Sequence, residues 1–325
     1  MEQRRLGQTR ETVSLLGYGA GAVGGLLVRG DAKDRERSVA RAIELGINYF
    51  DTASSYGNGE SERSLGAILK RLRAKVLLGT KVRIATAQRG DLHNAIIASM
   101  DASLKRLGRE QVDLFQLHNP ISAAGADPAF AMRQIMEQVV PAMQDLRATG
   151  KTRFIGITAL GDTDTLKAVL RTGVFDTAQC VHNILNPSGV FALSPGMPGH
   201  DFAGLMRDCK ANGIGVIGIR ALAGGALSGE EARHPGAMPQ VDPIGSGPSY
   251  AADVAQARKL LPLIAEGHVG SLVEAALRYA ISNDAVSTML IGTADLAQLE
   301  TAAAAVAKGK LPQETLARMA ALLAI

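Results

Sequence analysis

Apolar and polar positions along this 325-residue chain switch repeatedly between the short unbroken apolar runs of buried strands and the three-and-four spacing of helices. Residues 3–16 alternate around Gly7-Gln8-Thr9 and read as a hairpin, a plug across one barrel end. A first barrel strand follows near Leu15–Gly19. A helix from about 34 to 45 stops at Gly46 and delivers Ile47-Asn48-Tyr49-Phe50, a strand that ends at Asp51. A second helix follows Gly59, with Leu65, Ile68 and Leu69 on one face. In the third, Asp91 caps the start, Leu92, Ile96, Ile97, Met100, Leu104 and Leu107 fall at helical spacing, and Gly108 ends the run.

Strand Val112–Leu117 leads through a loop at 119–127 to a longer helix that carries Phe130, Ile135, Val139, Met143 and Leu146 and stops at Gly150. Strands Arg153–Thr158, Val174–Val181 and Ile214–Ile219 then alternate with helices at about 163–171 and 201–211. Residues 221–249, rich in Gly, Pro and Ser, break the rhythm and read as a functional loop over a cofactor. Helices at about 251–265 and 271–281 follow, the second opened by the capping-box pattern Ser271-Leu272-Val273-Glu274. An eighth strand, Val286–Ile291, and helices begun by Asp295 and Pro312 close the chain. The pattern predicts an α/β fold, a (β/α)8 TIM barrel with an N-terminal β-hairpin and extra C-terminal helices, as one domain over 1–325. A doubly wound sheet is the alternative, and Gly19-Ala20-Gly21-Ala22-Val23-Gly24 is a formal GxGxxG match to it. That motif must open a helix directly, whereas here glycines interrupt the chain until about Asp34.

Composition narrows the picture. With 46% apolar and 20% charged residues the chain can bury a large core. Its net charge is only +4 and its basic residues are scattered, which argues against a nucleic-acid partner, while a pI near 9.1 is compatible with an anionic cofactor. Cys180 and Cys209 are too far apart for a CxxC metal or redox motif, and no metal site is expected. No apolar run approaches the roughly 20 residues of a membrane span, and no signal region leads the chain, so a cytoplasmic protein is expected.

Chemistry collects at the predicted strand ends, where a parallel barrel keeps it. Asp51-Thr52-Ala53-Ser54-Ser55-Tyr56 leaves the second barrel strand, Lys81 ends the apolar run from Val76, and His118 follows Leu117. A tyrosine donates a proton near neutral pH only if positive charge lowers a pKa of about 10, and Lys81 is the candidate cation. Singly, each residue has a structural explanation: a paired core lysine, a packed loop aromatic, a satisfied core histidine. Their joint appearance at three successive strand ends favours a catalytic site.

Asp51, Tyr56, Lys81 and His118, in that order, with Gly-Ile-Asn-Tyr-Phe-Asp-Thr-Ala and Gly-Glu-Ser-Glu-Arg-Ser-Leu-Gly around the first two, resemble the aldo-keto reductase superfamily. The likeness runs from Val13 to Glu300. It implies an NAD(P)-dependent oxidoreductase that interconverts a carbonyl (aldehyde, ketone or aldose) and the alcohol or lactone. Tyr56 would be the general acid, Lys81 would favour its phenolate, Asp51 would keep Lys81 charged and His118 would donate to the carbonyl oxygen.

The cofactor groove is less faithful. Thr158 stands where relatives carry a serine for the nicotinamide carboxamide, Ala159 replaces the asparagine beside it, and Gln179 occupies the place of a glutamine that meets the same group. Ile219 replaces a stacking aromatic, Arg220 could reach the pyrophosphate, and Leu222-Ala223-Gly224-Gly225 matches the backbone that wraps it. Ile291-Gly292-Thr293 and Gln298 resemble the adenosine segment. Gly292, Ala294 and Gln298 stand where NADP-selective relatives place Lys or Arg, and the resemblance still puts NADP(H) first, with NAD(H) the alternative.

Gly19 to Leu26 is similar to a bacterial branch that oxidises aldoses such as fucose, or pyridoxal. Tyr18, Asn119, His182 and the loops at 119–127, 183–199 and 221–249 are candidate pocket walls. With 4% aromatics and no Trp, a small or polar carbonyl or sugar substrate is expected rather than a bulky hydrophobic one. The rival readings are a cofactor-binding regulatory module of the same fold with little turnover, and a barrel in which Lys81 forms a Schiff base.

Overall fold

Eight parallel strands close a barrel in the computed structural model, which describes residues 1–191, 193 and 196–323. They are β3 (Leu16–Gly19), β4 (Tyr49–Asp51), β5 (Leu77–Val82), β6 (Val112–Leu117), β7 (Thr152–Thr158), β8 (Thr177–Val181), β9 (Gly215–Ile219) and β10 (Val286–Ile291), with β10 paired to both β9 and β3. The antiparallel pair β1 (Gln3–Arg5) and β2 (Thr12–Ser14) forms the expected hairpin. Its Leu6 and Val13 pack on Tyr49, Leu114, Ile217 and Leu290, so it seals the end of the barrel opposite the strand C-termini. Arg4 holds it there by donating to the carbonyls of Ile281, Asn283 and Val286.

Local signals set the helix ends. Gly46 (φ 82°) and Gly108 (φ 62°) adopt the left-handed conformation that a side chain disfavours. Asp91, Ser271 and Asp295 accept from the amides of Asn94, Glu274 and Gln298 as N-caps. The main core fills the space between barrel and helices, and a second cluster, including Val254, Leu263, Leu272 and Met319, underlies a turn of 3-10 helix at Ala223–Ser228. That second cluster fixes the start of the irregular 221–249 segment.

Four expectations need correction. Phe130 lies outside the long helix, which starts at Met132; it bridges to Ile121, and the helix carries a π-turn at Ile135–Val139. The helix expected at 251–265 is two, Tyr250–Arg258 and Pro262–Ala265, because Pro262 restarts the chain. Lys81 lies inside β5 rather than at its end. A one-turn helix, Leu26–Arg29, occupies the stretch read as uninterrupted loop. The closed barrel excludes the doubly wound sheet, and Gly24 is needed for packing, since a Cβ there would overlap the backbone of Gly292 and Thr293.

Candidate active site at the mouth of the barrel

Asp51 ends β4, Lys81 is near the end of β5 and His118 follows β6, so three neighbouring strands bring these groups to the C-terminal mouth. Tyr56 sits in the turn after β4. Its hydroxyl is 3.3 Å from Lys81 Nζ, and the ammonium also donates to Asp51 Oδ1 and, at 2.8 Å, to the Thr52 carbonyl. Asp51 Oδ2 accepts from Gln179 Nε2 at 2.7 Å, Tyr49 Oη at 3.1 Å and Gln116 Nε2 at 3.3 Å. Burial is the largest influence and opposes the Lys81 charge, but Asp51 and Tyr56 together outweigh it and hold the amine above its usual value.

His118 stands edge-on to Tyr56, with ring centroids 5.9 Å apart. Burial first, then the charges of Lys81 and Arg83, push its pKa down to about 3, so the imidazole is neutral across the physiological range. A neutral ring can orient an oxygen by hydrogen bonding without adding a cation.

The Gly-Glu-Ser-Glu run after Tyr56 is scaffolding. Ser61 Oγ donates to the Ala20 carbonyl and meets Thr52 Oγ1 at 2.8 Å, tying the turn to β3 and β4. Fully buried Glu62 accepts from Thr80 Oγ1 at 2.6 Å and pairs with Arg106, which fixes the helix against the strand beside Lys81.

Asp51, Tyr56 and His118 line a cleft of about 650 Å³, and all ten residues named from the sequence for a cofactor border it as well. Lys81 lies behind that wall, fully buried. Thr158 Oγ1 is buried without a partner among the described residues. Gln179 binds Asp51, a tie that links the cleft wall to the buried ion pair and that sequence alone could not anticipate.

Arg220 and Arg233 meet over Gly224-Gly225. Arg220 Nη1 donates to the Asp242 carbonyl at 3.3 Å, and Arg233 donates to the carbonyls of Met238 (2.6 Å) and Gly224 (2.7 Å); among the described residues neither has a carboxylate partner. Burial pulls the Arg220 pKa down, Tyr56 opposes that and Arg233 adds to it. Arg220 itself has φ 64°, a left-handed conformation kept for arginine only where the surroundings impose it. A Cβ at Gly224 would lie 2.8 Å from Val241 and 2.9 Å from the Arg220 guanidinium. Two adjacent guanidiniums over a side-chain-free turn make a seat for an anion with two charges.

Three expected pocket walls are not walls. Tyr18 is buried with its hydroxyl 3.0 Å from Ser38 Oγ, Asn119 bonds Ile84 and Pro128, and His182 stacks on Tyr279 at 5.4 Å. The loop at 119–127 adds no lining residue; within 183–199, Ala192, Ser194 and Pro195 lie outside the described residues and the others do not border the cleft. The 221–249 segment does line it. Arg233, His234, Leu160, Ile244 and Asp295 were missed from the sequence. For Asp295 a signal existed, because a helix N-cap at the end of a barrel strand faces the mouth.

The barrel, with a tyrosine hydroxyl against a buried lysine and aspartate at its mouth, has the arrangement that the sequence resemblance implies. The chain matches the Aldo/keto reductase family over residues 15–324 and belongs to that family. It is similar to L-galactose dehydrogenase of Arabidopsis thaliana, at 31% identity over 99% of this chain and 94% of the relative. Pyridoxal 4-dehydrogenase of Microbacterium luteolum is 26% identical over 90% of this chain and 89% of its own. Among solved structures, the holo form of an aldo-keto reductase from Bacillus halodurans superposes with a TM-score of 0.73 at 25% identity, covering 99% of this chain and 96% of that one.

Proposed function

We propose that this chain is a nicotinamide-dependent oxidoreductase that interconverts a small polar carbonyl compound, an aldose or short aldehyde, and its alcohol or lactone. The observation that carries this reading is the 3.3 Å approach of Tyr56 Oη to an ammonium held charged by Asp51, at the wall of the cleft that also holds the guanidinium pair.

The cofactor fits the residues present. Arg220, Arg233 and the backbone at Gly224 would hold its diphosphate, the unpartnered Thr158 hydroxyl and the free side of the Gln179 amide would meet its carboxamide, and Ile219 would give an apolar face. When bound, such a cofactor supplies or removes a hydride. Tyr56 gives its hydroxyl proton to the carbonyl oxygen, and Lys81 stabilises the phenolate that remains. Asp51 fixes Lys81 and offsets the cost of burying its charge. Neutral His118 directs the carbonyl oxygen toward Tyr56. In oxidation the phenolate takes the proton back.

The substrate class follows from the similarity to L-galactose and pyridoxal dehydrogenases and from a mouth that lacks tryptophan. The test is turnover of wild-type protein with NADH and NADPH against short aldehydes, and with the oxidised forms against aldoses and pyridoxal. Stoichiometric change in nicotinamide absorbance with product supports the reading. Tight nucleotide binding without turnover on any compound would favour the regulatory module.

A further inference from the structure

The charges along the cleft come in a fixed order. Arg220 lies within electrostatic reach of Tyr56 and of Arg233, Arg233 adjoins His234 in the chain, and His234 Nε2 is 3.2 Å from Asp295 Oδ2. Tyr56 marks the barrel axis, and Asp295, the N-cap of helix Leu296–Ala307, marks the outer ring. A dinucleotide with its reactive ring at Tyr56 and its diphosphate on the two guanidiniums therefore lays its second nucleoside against His234, Asp295, Gln298 and Thr301.

That end carries no cation for a further phosphate. No Lys or Arg is among the described residues that line it. Arg41 pairs with Glu300 (2.8 Å) and Glu44 (3.1 Å), and Arg29, which donates to the carbonyls of Gly236 (3.1 Å) and Ala22 (2.7 Å), does not line the cleft. His234 Nδ1 accepts from the Gly236 amide at 3.0 Å, and its Nε2 lies 3.2 Å from Asp295 Oδ2. Among the described residues that line that end, Asp295 supplies the carboxylate. One of its oxygens accepts from the Gln298 amide at 2.8 Å and the other lies 3.2 Å from His234 Nε2, and each retains a lone pair for a ribose hydroxyl.

Resting on the nicotinamide reading above, we infer that Asp295 makes this chain select the dinucleotide with a free ribose hydroxyl, NAD(H), and reject the 2′-phosphate of NADP(H). This reverses the order that the family resemblance implies. A 2′-phosphate would meet a like charge and, among the described residues that line that end, no Lys or Arg.

Isothermal titration calorimetry of the full chain with NAD⁺ and NADP⁺ tests this without turnover. The expected result is NAD⁺ binding about tenfold or more tighter than NADP⁺. Asp295→Asn keeps a good N-cap and should narrow the ratio about threefold to tenfold by strengthening NADP⁺ binding. Ala294→Arg, which adds the missing cation, should raise NADP⁺ affinity about tenfold and leave NAD⁺ nearly unchanged. Equal or tighter NADP⁺ binding by the wild type, or an unchanged ratio in both folded variants, overturns the inference and leaves the nicotinamide reading standing. Failure of both nucleotides to bind overturns that reading and the inference with it.

Discussion

Asp51 and Asp295 are both carboxylates on the wall of one cleft, and their surroundings are opposite. Asp51 is 3% exposed and holds a buried lysine, a tyrosine hydroxyl and two glutamine amides at the barrel axis. Asp295 has a side chain 39% exposed at the rim, where it caps a helix and meets one histidine from the 221–249 segment. At the floor every partner comes from a barrel strand, so geometry is rigid and an unpaired charge is costly. At the rim the partners come from loops and a helix end, so changes there alter what binds more than whether the protein folds. On the proposed reading, the floor sets the chemistry, and the rim sets the choice and residence of the ligand.

The sharpest way to break this contrast is at the floor. Lys81→Met is expected to reduce kcat about 100-fold or more and to destabilise the fold by about 3–5 kcal/mol, because Asp51 is left buried and unpaired. Adding Asp51→Asn should restore the melting temperature without restoring turnover. A Lys81→Met protein with near wild-type kcat would remove Lys81 from the chemistry.

Next in size is an acid response centred just outside the floor. Burial pushes His182 from its ordinary 6.5 down to about 4, and among the described residues both its ring nitrogens lack partners. The unfolded chain then takes up the proton first, so this stabilisation is complete above pH 6.5 and is lost as pH falls toward 4, by about 3 kcal/mol. His118, held to about 3, adds to the loss in the same direction. Melting temperatures measured across that range should fall steeply for wild type and less for His182→Phe, which keeps the stack on Tyr279.

Two smaller effects separate floor from rim. Gln116→Leu removes a 3.3 Å bond to Asp51 and should lower kcat about threefold to tenfold while KM and nucleotide affinity hold. Arg29→Ala releases the Gly236 carbonyl and should raise the nucleotide dissociation rate about threefold in stopped flow, with the chemical step unchanged. The reverse pattern in either variant would dissolve the distinction.

Much of the floor was legible in the sequence because its signals are local. Asp51, Lys81 and His118 each close a short apolar run, and Gly46, Asp91 and Gly108 punctuate the helices between them. The rim depends on contacts across long sequence separation: Arg29 with Gly236, Val23 with Met238, and His234 with Asp295. No local pattern announces those pairs. Polar character also misled at Tyr18, Asn119 and His182, which look like pocket walls yet are buried away from the cleft. Gln179 was placed beside the cofactor by resemblance, but its bond to Asp51 joins inward-facing side chains of β4 and β8 across the barrel interior and needed coordinates.

Turnover and nucleotide affinity measured together on Tyr56→Phe bear most directly on the proposed chemistry. Removal of the hydroxyl that lies 3.3 Å from Lys81 Nζ should lower kcat about 100-fold to 10,000-fold while calorimetric affinity for the nucleotide stays within about twofold of wild type. A variant that binds and turns over like wild type would contradict the assignment of Tyr56 as the proton donor.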